Sequence, residues 1–182
     1  VGRSMYGAFV GTWNPDPSRA FLLDGYTAGA VVLYELAADG SRDLLLGTPI
    51  DEREAGRDYP LTGLSYTHAT ESGNGILLAS TVFDDAGSPG YLDLETREVV
   101  PVLVAGVVHS GAGELEGMDH LEGDRFEIRY NIDGCSWAYE ARFDEDAKAL
   151  AVQRVLVGEG DLTGGMIHGL HYDKGSGGFA LS

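Results

Sequence analysis

Apolar and polar residues alternate most clearly in the stretch 124–157. Large apolar side chains fall at Phe126, Ile128, Tyr130 and Ile132, then at Trp137, Tyr139, Ala141 and Phe143. A period of two puts one side-chain set on each face of a strand. Asp133-Gly134 separates the two runs. That dipeptide is a strong hairpin signal, because primed turns need positive φ and glycine tolerates it. Asp144-Glu145-Asp146 then interrupts, and 150–157 forms a third apolar run. The stretch predicts an antiparallel meander.

Similar units recur along the chain. Gly11-Thr12-Trp13, Gly63-Leu64-Ser65-Tyr66, Gly117-Met118-Asp119-His120 and Gly169-Leu170-His171-Tyr172 open them, with glycines 52, 54 and 52 residues apart. A short mixed strand follows each glycine, then a turn, then a more apolar strand at 20–23, 75–80, 126–132 and 178–182. Third and fourth strands follow in the first three units. Repeats of about 40–50 residues with four strands each characterise propeller blades, since one small sheet buries both faces only by stacking on neighbours. The expected fold is therefore all-β, a partial β-propeller of four-stranded antiparallel blades, about three and a half in number. It forms one domain over 1–182 with units at 5–48, 61–104, 115–157 and 166–182. A β-sandwich with evenly spaced strands is the alternative.

Within this frame, 5–13, 20–26, 30–36 and 42–47 are the strands of unit one, with a turn at Asn14-Pro15-Asp16-Pro17-Ser18. The charged crossing 49–60 has room for one helical turn. Unit two has strands at 64–69, 75–83, 90–94 and 98–104. Pro101 in the last of these fits an outer, edge strand. Residues 106–117 and 158–165 are crossings, and unit four has strands at 167–173 and 178–182.

Composition narrows the function classes. The chain of 182 residues has 29 acidic and 12 basic residues, ten of the latter arginine, for a formal charge of −17. Such a surface repels nucleic-acid phosphates and anionic lipid, so neither nucleic acid nor membrane is an expected partner. No apolar run reaches about 18 residues. The N-terminus has no signal-peptide pattern, and a cytoplasmic location is expected. Both ends look cut, so a fragment is expected. Cys135 is alone and is expected as a small core residue beside Trp137.

The strand-end segments carry a resemblance. Gly-Leu-Ser-Tyr at 63–66, Gly-Tyr-Leu-Asp-Leu-Glu-Thr at 90–96, Asp-Gly-Cys-Ser-Trp-Ala-Tyr-Glu at 133–140 and Gly-Leu-His-Tyr at 169–172 resemble the N-terminal propeller of prolyl oligopeptidase-type serine peptidases, the acylaminoacyl peptidase branch in particular. The resemblance implies a propeller that caps an α/β-hydrolase domain and gates peptide access to it. That hydrolase domain, absent from this chain, and a peptide substrate are the implied partners. The parent would be a serine peptidase, and none of its catalytic residues falls here. Similar strand ends occur in TolB-like and other propellers. The alternative function is a stand-alone TolB-like or WD40-like propeller fragment that binds a protein or a ligand. Half a propeller leaves sheet faces and edges bare, so a homodimer of half propellers is also expected.

No catalytic, cofactor-binding or metal residue is assigned. The nearest approach to a Gly-x-Ser-x-Gly nucleophile elbow is Gly134-Cys135-Ser136-Trp137-Ala138, at a hairpin entry with strand following, so Ser136 is not expected as a nucleophile. His68, His109, His120, His168 and His171 form no metal-ligand spacing. His120 and His171 hold equivalent places in units three and four and are expected to pack or hydrogen-bond. Asp84-Asp85 and Asp144-Glu145-Asp146 lack the alternating oxygen ligands of a calcium loop. Gly111-Ala112-Gly113 lacks the third glycine and the helix of a dinucleotide site.

Overall fold

A computed structural model describes residues 7–13 and 19–182. The predicted turn at 14–18 and the start of the predicted first strand, at 5–6, lie outside the described residues. The chain divides into two compact units, Val1–Pro101 and Val102–Ser182.

The first unit holds two antiparallel meanders of four strands. β1 (Ala8–Trp13), β2 (Ala20–Asp24), β3 (Val32–Leu36) and β4 (Arg42–Leu46) pair in chain order. So do β5 (Tyr66–Ala69), β6 (Gly75–Ser80), β7 (Ser88–Asp93) and β8 (Val99–Pro101). Phe21, Leu33 and Leu45 of the first sheet share one cluster with Ala69, Ile76, Leu78 and Leu92 of the second. The large side chains in it are each worth about 1.5–3 kcal/mol on burial. β6 is buried at all six positions. A side chain at Gly75 would enter the ring of Tyr91, itself 1% exposed. The Ala69 N–H donates to Thr12 Oγ1 at 3.0 Å and ties β5 to β1.

The second unit is a five-stranded sheet and a hairpin. β10 (Gly113–Glu122), β11 (Arg125–Ile132), β12 (Cys135–Asp144) and β13 (Ala149–Val157) form the predicted meander, and β9 (Leu103–Ala105) adds to β13 in parallel. β14 (Leu170–Asp173) and β15 (Gly178–Leu181) form the two-stranded remainder. Asp133 and Gly134 have φ of 51° and 80°, the signature of a type I′ turn. Every antiparallel pair joins strands adjacent in sequence, so the long Greek-key returns of a sandwich do not occur among the described residues.

Several expectations on strands need correction. The predicted fourth strand of unit two, 98–104, is two strands. Pro101 ends β8, Val102 is buried, and Leu103–Ala105 departs to β13. Proline lacks the N–H that a continuing ladder needs. β7 starts at Ser88, so Pro89 lies in a strand where a turn was predicted; it precedes Gly90, where the ladder to β8 begins. The crossing 106–117 ends early, because β10 begins at Gly113. Gly117 thus sits within a first strand, as Gly11 does in the predicted strand 5–13, and each lies at a register shift. A bulge re-aims the strand and lets another side chain approach the bare glycine. Arg129 Nη2 would lie 3.0 Å from a Cβ on Gly117, and Thr67 Oγ1 2.6 Å from one on Gly11. The crossing 49–60 does contain one short turn of 3-10 helix, Ile50–Glu52.

Candidate functional site

The alternation of β11 separates charge from apolar bulk. Phe126, Ile128, Tyr130 and Ile132 take one face; Arg125, Glu127 and Arg129 take the other. The registers then set Asp119 of β10 and Glu140 of β12 directly opposite Glu127, and Arg154 of β13 opposite Glu140. Four charged residues cross four strands in one row, Asp119–Glu127–Glu140–Arg154, with Arg125 and Arg129 on either side of its centre.

The two central carboxylates differ in their partners. Glu140 accepts from Arg125 Nε at 2.7 Å and from Arg154 Nε at 2.6 Å. Burial pushes its pKa up, but the two guanidiniums outweigh burial and hold it below the ordinary glutamate value. The same bond raises the pKa of Arg125. Glu127 is 2% exposed and has one cation, Arg129 Nη1 at 2.8 Å, which Glu116 shares through Nε at 3.4 Å. Burial, reinforced by the nearby charge of Asp119, lifts Glu127 to about 7 against the pull of Arg129. Asp119 is raised as well, by desolvation. The row therefore holds a carboxyl group that changes charge near neutral pH.

The hairpin β14–β15 lies against the arginines of this face. Arg125 Nη1 donates to Tyr172 Oη at 3.1 Å and its guanidinium stands 5.4 Å from that ring. The Arg154 guanidinium stands 5.3 Å from the ring of Phe179. Cation–π contacts of this kind contribute roughly 0.5–2 kcal/mol.

On the apolar side, His109 packs among aromatic rings. Its centroid is 4.9 Å from Tyr130, 5.8 Å from Trp137 and 5.6 Å from Tyr139. Its Nδ1 is 2.7 Å from Tyr139 Oη, which also accepts the His109 N–H at 3.2 Å. Burial lowers the His109 pKa and lifts Tyr130 to about 12.

The residues weighed in the sequence take structural places. Ser136 is buried in β12; its Oγ accepts from the Ile167 N–H at 3.1 Å, and its own N–H donates to the Gly165 carbonyl at 2.8 Å. It clasps the segment leading to β14. His120 Nε2 turns back to the Gly123 carbonyl at 2.9 Å, and His171 is exposed on β14. Asp84 and Asp144 accept turn N–H groups of Ala86 and Ala147, each at 2.9 Å. An open groove of about 610 Å³ lies beside Asp144, Glu145 and Asp146, and Asp124 there holds Arg142 at 2.8 Å. Cys135 is half-buried at the hairpin end, not in the core as expected. Among the described residues no three His, Cys, Asp or Glu side chains are grouped to hold a metal, and no helix is long and apolar enough to cross a membrane. The sequence reading missed the charged row. The alternation Arg125-x-Glu127-x-Arg129 signalled a polar face, but only the bulged register of β10 against β11 brings Asp119 to Glu127.

Successive four-stranded antiparallel meanders define the class: the chain is an all-β partial propeller. Among solved structures it is similar to TolB from Acinetobacter baumannii, with a TM-score of 0.57 and 16% sequence identity over 96% of this chain. The chain spans 37% of the length of that TolB chain. No family model matches the chain, and no curated protein does.

Proposed function

We propose that the chain is part of a propeller-type binding module that holds a protein or a ligand on its sheets and carries no reaction of its own. The observation behind this reading is the charged row. Glu140 has Arg125 and Arg154 across strands and Glu127 has Arg129 of its own strand, where a general base would need a substrate proton or a nucleophile. The likeness to TolB supports the propeller part of the expectation and adds nothing for peptidase parentage. The cap of a prolyl oligopeptidase-type enzyme thus has the sequence segments alone in its favour.

A fluorescence-polarisation screen of basic, neutral and acidic peptides tests the proposal. Saturable binding of one class is expected, weakened by Glu116→Gln. The chain is strongly acidic, so the basic class should bind, with an affinity that falls as salt is added. Hydrolysis of the peptides by the purified chain, or no saturable binding in any class, would overturn the reading.

A further inference from the structure

Residues 106–112 join β9 to β10 outside any strand and read Gly-Val-Val-His-Ser-Gly-Ala, without an acidic residue, lysine or arginine. Gly106 and Gly111 have φ of 89° and 125°, a region that glycine enters without strain. Between these two points His109 seats the segment on Tyr139. The Tyr139 hydroxyl accepts the His109 N–H at 3.2 Å and a backbone bond from Val108. Among the described residues, 107–111 make no other hydrogen bond to the sheet.

The seat admits only one protonation state of the imidazole. Tyr139 is 0% exposed, so no water competes for its hydroxyl. Among the described residues the one acceptor for the Tyr139 O–H is His109 Nδ1, at 2.7 Å, so the neutral ring carries its own proton on Nε2. A protonated ring has a donor on both nitrogens. Nδ1–H would then face an O–H with nowhere else to turn, and a buried donor without an acceptor is costly. The groups facing the ring do not offset this. Tyr130 of β11 and Trp137 and Tyr139 of β12 are uncharged at neutral pH. The charged groups around them are Glu159, which acts on Tyr139, and Asp133, whose carboxylate lies against Gly111; neither bonds to the ring.

The surface beneath does not depend on the segment above it. Trp137 stacks on Tyr139 at 14°, and a side chain at Gly158 would enter the Trp137 ring. Neighbours within the sheet therefore hold these rings in place.

We propose that residues 106–112 form a proton-released strap. When His109 takes up a proton its seat on Tyr139 is lost, and the segment swings on Gly106 and Gly111 to uncover the rings of Tyr130, Trp137 and Tyr139. This inference is independent of the binding-module reading. Its sign follows from linkage. In the open strap His109 has its ordinary value of 6.5, and in the seat burial holds it lower. The open form binds the proton more tightly, so opening grows as pH falls below 6.5, by up to about tenfold per pH unit until the seated ring is itself protonated.

Amide hydrogen exchange of the 182-residue chain, followed by NMR from about pH 7.5 to about pH 5 and corrected for intrinsic rates, tests the strap. Protection of the Val108 and His109 amides should fall below pH 6.5 by up to about tenfold per unit, while Ile128 and Tyr139 keep theirs. His109→Gln offers the Tyr139 O–H an acceptor and takes up no proton in this range, so protection at 108 and 109 should not change with pH. Tyr139→Phe removes the seat, so both amides should exchange fast at every pH. Protection that stays constant down to about pH 5 would overturn the proposal, whether or not the His109 ring signals have titrated by then. So would a fall shared equally by Ile128 and Tyr139, or one that persists in either variant.

Discussion

Glu127 and Glu140 face each other across β11 and β12, yet they respond oppositely to the sheet around them. Glu127 has a folded pKa of about 7, above the ordinary value of 4.5. Between those values the folded chain holds a proton that the unfolded chain has released. Stability therefore falls as pH rises from about 4.5 to about 7, and this loss is complete above that range. We expect urea unfolding to show a drop of roughly 1–3 kcal/mol between pH 5 and 8. Glu127→Gln should flatten that part of the profile; an unchanged slope would remove Glu127 as its cause. Glu140 sits below its ordinary value because two arginines hold it. Glu140→Ala leaves Arg125 and Arg154 without their common partner, at a cost of roughly 3 kcal/mol. Hydrogen exchange should then quicken in β14 and β15, whose Tyr172 and Phe179 rest on those arginines.

At the scale of the element, glycines separate turns from bulges. Gly75→Ala pushes a methyl group into the buried Tyr91 ring and should cost roughly 2–4 kcal/mol. Gly117→Ala meets only the guanidinium end of Arg129, at 3.0 Å, and should cost less than about 1 kcal/mol, since a shift of a few tenths of an ångström relieves the contact. Gly134→Ala meets nothing within 4 Å but has φ of 80°, so backbone strain alone should cost about 1 kcal/mol. Thermal unfolding of the three variants gives the order. Much at this scale was readable from the sequence. The Asp133-Gly134 hairpin and the alternation of 126–132 and 137–143 are short-range signals, each fixed by one dipeptide or one period. The split at Val102 was not readable. The partner of Leu103–Ala105 is Ala149–Ala151, and no local pattern encodes so distant a pairing. The charged row was hidden for the same reason, since one bulge residue near Gly117 decides which β10 side chain faces Glu127.

For the whole molecule, the 52- to 54-residue recurrence of glycine-led units carried the architecture. It survives in the three meanders and the final hairpin even though individual strand limits moved. The same scale holds the charge. Twenty-nine acidic residues against twelve basic ones produce self-repulsion that salt screens, with a Debye length falling from about 30 Å at 0.01 M to about 3 Å at 1 M. Raising sodium chloride across that range should raise the melting temperature by several degrees; a fall would mean that the arginine–carboxylate pairs outweigh the repulsion.

The parallel strand Leu103–Ala105 has a consequence for how the polypeptide matures. During synthesis it emerges well before its neighbour, since Leu103 pairs with Ala149, 46 positions later. Until β13 leaves the ribosome these residues have no ladder to join, and Leu103 is 67% exposed even in the finished fold. The nascent chain thus carries a sticky apolar stub through the time needed to make the next four strands. That interval is where a chaperone would have most to do.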